Sequence, residues 1–168
     1  ISNKARLNYI VDFINKTSKN SLVLFQSVKD EYGRNIWNGI RETNSDKEAF
    51  YVDGDTNEQL REEYKSRMET GENKVLIATY GTFSTGVNIR NLHNVIFASP
   101  SKSRIRNLQS IGRGLRKGNN KDSAVLFDIT DDFRIGKFAN YTLKHFIERV
   151  KIYDEEKFEY KFYNIELK

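Results

Sequence analysis

At 168 residues, with 38% hydrophobic and 12% aromatic side chains, the chain is long enough for one domain with a real core. It has no cysteine and only two histidines, His93 and His145, which excludes a disulfide framework, a thiolate metal site and a zinc site built of histidine alone. No apolar run approaches the ~18 residues of a transmembrane helix, and 28 Lys+Arg against 23 Asp+Glu leave a net charge of +5, which hints at a polyanionic partner.

The opening "ISNKARLNYIVDF" lacks a signal-peptide layout and does not start with Met, so the expectation is a piece of a longer, soluble, cytoplasmic protein. "LNYIVDFI" (7–14) predicts a helix, followed by a strand at "LVLF" (22–25). Trp37 is expected half-buried on a helix after Ser27, and the second strand is "AFYV" (49–52). "NEQLREEYKSRM" (57–68) reads as a helix with Leu60, Tyr64 and Met68 on one stripe, Thr56 and Gln59 at capping-box spacing and Gly71 past its end. Further strands follow at "VLIAT" (75–79), "NVIFA" (94–98) and "AVLFDI" (124–129), with the basic helical stretch "RIRNLQSIGRGLR" (104–116) between the last two. The strands' apolar residues are continuous, as in strands buried on both faces of a parallel sheet.

After Ile129 the pattern changes. "FANYTLKHFIERVKIY" (138–153) predicts a helix with Leu143, Phe146, Ile147 and Val150 on one face. "KFEYKFYNIEL" (157–167) alternates like an edge strand, with a slip between Phe162 and Tyr163 that suggests a bulge. The fold class is therefore α/β: a doubly wound, mainly parallel sheet with a C-terminal helix and edge strand. Residues 1–168 read as a single domain, 1–130 the core and 131–168 an extension.

Ligands of such sheets bind beyond the strands' carboxyl ends. After the third strand, "TYGTFSTGVNIRN" offers Thr79, Gly81, Thr82, Ser84, Thr85 and Gly86, small hydroxyls and backbone amides suited to phosphate oxygens. A plain surface turn has the same composition. Between Ser101 and Lys121 stand seven basic residues (Lys102, Arg104, Arg106, Arg113, Arg116, Lys117 and Lys121) and no acidic one; such a run is a solvated face or an anion site. On a helix, Ile105, Leu108, Ile111 and Leu115 share one face and Gln109, Arg113 and Arg116 another, roughly a third of a turn away. Arginine suits an anion because its planar fork meets phosphate bidentately and stays charged. A GxxxxGK[ST] phosphate loop is absent, and Asp131 and Asp132 of "DITDD" (128–132) read as a turn closing the fifth strand. The chain can contact a nucleotide's phosphates but lacks the parts to hold one alone.

At this point the residues resemble a family. "QSIGRGLR" (109–116) is similar to motif VI of superfamily 2 helicases, "VLIATYGTFSTGVNI" (75–89) to motif V, "LVLFQS" (22–27) to motif IV and "YVDGDT" (51–56) to the short motif after it, all in the family's order. Within the superfamily the chain most resembles the recombination helicases of T-even phages. The resemblance implies the second of two RecA-like motor domains, a P-loop NTPase-type fold without its own P-loop. It implies that Arg116 is an arginine finger and Arg113 its companion, both reaching ATP with Mg2+ held mainly by an N-terminal RecA-like domain of the same chain. It also implies that Gln109, Gly86 and Asn88 adjoin the nucleotide, while Thr79, Ser27 and Gly81, with Arg104 and Arg106, line a strand-binding groove. Partners implied are single-stranded and branched DNA and RNA–DNA hybrids, with no membrane; metal-ligating residues are none. This fragment alone is expected to be inactive. Tyr80 and Asn88 depart from the family, which often has aspartate at both places.

The residues also admit an inert nucleic-acid-binding module of the same fold. His93 reads as a turn residue and His145 as lying opposite the core face of its helix; Tyr160, Phe162 and Tyr163 read as packing rather than as base-stacking rings.

Overall fold

A computed structural model describes residues 4–26, 28–29, 31–43, 46–84, 89–99, 124–133 and 140–167. Five short strands form one parallel sheet in the order β2-β3-β1-β4-β5: β1 (Ser21–Phe25), β2 (Glu48–Val52), β3 (Lys74–Thr79), β4 (Asn94–Phe97) and β5 (Val125–Asp128). They fall where the apolar runs predict them. β1 is central and buried at all five positions, pairing Ser21 with Val75 on one side and with Asn94 on the other.

Period-two alternation divides the strand side chains between two faces. Val23, Phe25, Val75, Ile77 and Ile96 join Ile10, Val11 and Ile14 of α1 (Lys4–Lys16) and Ile36 and Ile40 of α2 (Tyr32–Glu42) in one core layer. Leu22, Leu24, Phe50, Val52, Leu76, Val95 and Phe97 form the other. It is covered by Met68 of α3 (Glu58–Thr70), Tyr80 of the short α4 (Tyr80–Ser84) and Tyr153 of α5 (Tyr141–Glu155). The doubly wound α/β class expected from the sequence is thus the observed one. At Gly33 the approach of α2 to β1 leaves no room for a side chain, because an added Cβ would stand 2.3 Å from the Phe25 ring.

Three local expectations are corrected. Asn57, not Thr56, caps α3: its side chain accepts from the Leu60 N–H at 2.8 Å. Thr56 is instead drawn into the preceding turn, where its hydroxyl lies 3.1 Å from Asp53 Oδ1.

The buried stripe of α5 is His145, Arg149 and Tyr153, at i, i+4 and i+8, while Ile147 is exposed. Polar residues win this face because β5 presents Asp128 to it. Arg149 Nε and Nη2 donate to Asp128 Oδ2 and Oδ1 at 2.7 and 2.9 Å, and the Tyr153 hydroxyl donates to Oδ2 at 2.7 Å. A buried charge is tolerated when it is paired and hydrogen-bonded in this way.

The tail from Phe158 to Leu167 is no strand. It folds back along α5, with Phe162 on Phe146 at 5.8 Å and the Tyr160 hydroxyl on Asp154 Oδ1 at 2.7 Å. Alternating aromatics satisfy an extended segment leaning on a helix as well as they satisfy a ladder. The helix expected over 104–116 lies outside the described residues.

The opposite, amino-terminal rim of the sheet is closed by Asn20. Its amide donates to the carbonyls of Met68 and Gly71 at 2.8 and 2.7 Å and its Oδ1 accepts from the Lys74 N–H at 2.9 Å. The strand starts are pinned, and that end is filled by structure.

Candidate functional site

In a parallel sheet every strand exits at the same rim, so the loops after Phe25, Val52, Thr79, Phe97 and Asp128 converge there. The β3 exit is the part of the candidate site that the described residues contain. Thr79, 8% exposed, ends the strand, and its hydroxyl accepts from the Thr82 N–H at 3.1 Å and lies 2.8 Å from Thr82 Oγ1. This side-chain cap turns the chain directly from strand into α4. Gly81 is half-buried in that turn. Tyr80 lies in the core, 3% exposed, with its ring 5.5 Å from that of Phe97. Its packing accounts for an aromatic at this place. Ile89 and Leu92, both buried, fix the far end of the loop.

At the β2 exit, "DGDT" closes on itself. Asp53, 3% exposed, accepts from the backbone N–H groups of Asp55 and Thr56 at 3.1 and 3.2 Å. The Arg34 guanidinium stands 3.5 Å from its other oxygen. The β1 and β4 exits are tied directly, Gln26 N–H donating to Ser99 Oγ at 2.8 Å.

A second knot joins β4, β5 and both helices of one layer. Arg6 of α1 donates through Nε to Asp131 Oδ1 at 2.7 Å and through Nη2 to the Ala98 carbonyl at 2.7 Å. Its Nη1 meets the Tyr32 hydroxyl, which itself lies 3.5 Å from the Ala98 carbonyl. Burial pushes the Tyr32 hydroxyl up to about 12, with the Asp131 charge adding and Arg6 opposing. The Asp131 side chain thus serves the ion pair with Arg6, and its carbonyl accepts from Asn140 Nδ2 and Thr142 Oγ1, each at 3.0 Å.

Of the residues singled out by sequence, the structure places Thr79 and Gly81 together at this rim. Ser27, Gly86, Asn88, Arg104, Arg106, Gln109, Arg113 and Arg116 lie outside the described residues. Sequence reasoning did not find Arg6, Tyr32 or Asp53 as rim residues. For Asp53 a signal existed, since Asp followed by Gly and then Thr is Asx-turn chemistry. Arg6 offered none, its partner Asp131 being 125 positions away. His145 is buried, 8% exposed, on the core side of α5, its ring centroid 3.9 Å from that of Tyr141; the expected placement opposite the core is corrected. Among the described residues, no group of three or more His, Cys, Asp or Glu is placed to hold a metal ion, and no helix is long and apolar enough to cross a membrane.

Comparison with known proteins adds the following. A family model described as the helicase conserved C-terminal domain matches residues 5–118. The ATP-dependent DNA helicase uvsW of enterobacteria phage T4 is 36% identical over 152 residues, covering 84% of this chain and 30% of that protein; the chain spans less than a third of that relative. The crystal structure of T4 UvsW superposes with a TM-score of 0.72 at 33% identity, over 90% of this chain and 33% of that one. The C-terminal domain of the DEAD-box protein Dbp5 gives a TM-score of 0.67 at 15% identity, over 91% of this chain and 81% of that one, a likeness of fold alone.

Proposed function

Because the chain belongs to the helicase conserved C-terminal domain family, and so to the second RecA-like domains of superfamily 2 helicases, we propose that it is the C-terminal motor half of an ATP-dependent DNA helicase. In this reading Arg116 is the finger that meets the γ-phosphate of ATP bound by a preceding RecA-like lobe, with Arg113 beside it and Gln109, Gly86 and Asn88 lining the same wall. Thr79, Ser27 and Gly81, with Arg104 and Arg106, grip the phosphates of the tracked strand. In the same reading, the resemblance to recombination helicases makes the substrate branched DNA or an RNA–DNA hybrid. The enzyme acts inside the cell, in the cytoplasm of the host if phage-encoded. Residues 1–130 form the motor core and 131–168 an extension of the same domain.

One observation carries the reading: the family match runs through residue 118 and so includes the whole "QSIGRGLR" stretch. The donor set fits the phosphate side of a nucleotide, since seven cations and no carboxylate stand between Ser101 and Lys121. Mg2+, when bound with ATP, neutralises charge on the β- and γ-phosphates; its acidic ligands belong to the preceding lobe. The arginines' own task is to stabilise charge on the transferring phosphoryl group, an effect worth roughly 10³–10⁵ in rate in NTPases. A finger supplied from a second lobe acts only when the cleft is closed, which ties turnover to a lobe movement along the strand.

The test is strand-stimulated ATP hydrolysis by the full-length protein carrying Arg116→Ala. Turnover is expected to fall by about 10³-fold or more, with the fold and strand binding without ATP retained. Unchanged turnover would leave the inert nucleic-acid-binding module as the better account.

A further inference from the structure

Ala98 is the last buried residue of the β4 exit, 0% exposed, and from Ser99 the chain continues into the stretch bearing Gln109, Arg113 and Arg116. Its N–H still takes part in sheet bonding, donating to the Leu24 carbonyl at 2.9 Å. Its carbonyl points where the ladder has ended. There Arg6 Nη2 takes it at 2.7 Å, backed by the Tyr32 hydroxyl, while Gln26 N–H holds the next residue through Ser99 Oγ at 2.8 Å. The take-off is therefore fastened from α1, α2 and β1 together. Arg6 is fastened in turn by Asp131, and their side chains are 11% and 24% exposed. A half-buried ion pair with directed hydrogen bonds on both sides holds a geometry more narrowly than an exposed pair does.

We infer that Arg6 is a positioning residue for ATP hydrolysis: with Tyr32 and Asp131 it fixes the departure of the chain from β4 and thereby the reach of the arginine-bearing stretch. Nothing in the chemistry of the knot concerns ATP itself, since every donor of Arg6 described above is spent on the protein. What it fastens is the exit of the chain at Ala98. Misplacing a charge-stabilising group by about 1 Å costs on the order of 10²-fold in rate, so loosening the root lowers kcat while leaving the grip of the preceding lobe on ATP, and hence KM, nearly unchanged. The inference rests on the reading that Arg113 and Arg116 meet ATP.

The experiment compares Arg6→Met, Arg6→Lys, Tyr32→Phe, Asp131→Asn and Arg116→Ala in the full-length protein, with strand-stimulated ATP hydrolysis referred to the folded fraction. For Arg6→Met, kcat is expected to fall about tenfold or more with KM for ATP changed less than about twofold. Arg6→Lys, which keeps a charge and a donor, should recover part of the loss. Should Arg6→Met fail to fold, Tyr32→Phe and Asp131→Asn decide, each removing one contact and each expected to lower kcat about two- to fivefold. Unchanged kcat in the folded variants, a loss that only follows the unfolded fraction, or a rise in KM at constant kcat overturns the inference. Full activity of Arg116→Ala is a separate result, because it overturns the reading on which the inference stands.

Discussion

At the scale of single residues, the rim is shaped by polar groups whose first duty is to the protein. The Thr79 hydroxyl caps α4 and Tyr80 fills the core, and these two side chains stand where β3 turns into α4. Tyr32 offers a titration that reads the Arg6 knot. Its folded-state value, about 12, lies above the ordinary 10.0, so the neutral hydroxyl is favoured by folding. That contribution is complete below pH 10 and is lost as pH rises from 10 to about 12. Urea midpoints of the full-length protein should fall across that window, and Tyr32→Phe should remove up to about 1.4 kcal/mol per pH unit from the slope. Tyr153, raised in the same direction by burial and by Asp128, keeps part of the slope in the variant. An identical slope in the two proteins would contradict the burial and bonding assigned to Tyr32.

At the scale of elements, α5 is fastened to β5 by charge, beside the apolar contact that Val150 of the predicted stripe makes with the core. Arg149 and Asp128, 1% and 8% exposed at the side chain, form a bidentate pair that Tyr153 completes. Removing one partner of such a pair strands the other, so Arg149→Met should destabilise the domain by about 3–5 kcal/mol in urea unfolding. A loss under about 1 kcal/mol, the size of an exposed pair, would contradict the burial described. α2 offers a steric counterpart: Gly33→Ala sets a methyl against the Phe25 ring and should cost about 1–3 kcal/mol. The apolar stripe of Leu143, Phe146, Ile147 and Val150 misled in part, since Val150 packs on the core while Ile147 is exposed: periodicity registers apolar residues alone. It cannot see a carboxylate on a strand that makes the opposite face the better one to bury. The tail from Phe158 misled for a related reason, since alternation records an extended chain and not what lies beside it.

At the scale of the whole molecule, the sheet was legible because parallel strands covered on both faces are largely apolar, and "LVLF" (22–25), "VLIA" (75–78) and "VIF" (95–97) are. The rim's loops were legible for the same topological reason, each following a strand. What closes the rim was not: the Arg6–Asp131 pair joins the first helix to the turn after the last strand across 125 positions, and no local pattern encodes it. With the chain as one wall of the divided reaction centre proposed above, Arg113 and Arg116 have no bound nucleotide to act on without the preceding lobe. The most direct measurement is strand-stimulated ATP hydrolysis by residues 1–168 purified alone, beside the full-length protein under identical conditions. No turnover above background from the isolated chain, with turnover by the full-length protein, is the expected result; stimulated hydrolysis by the isolated chain would contradict the divided site.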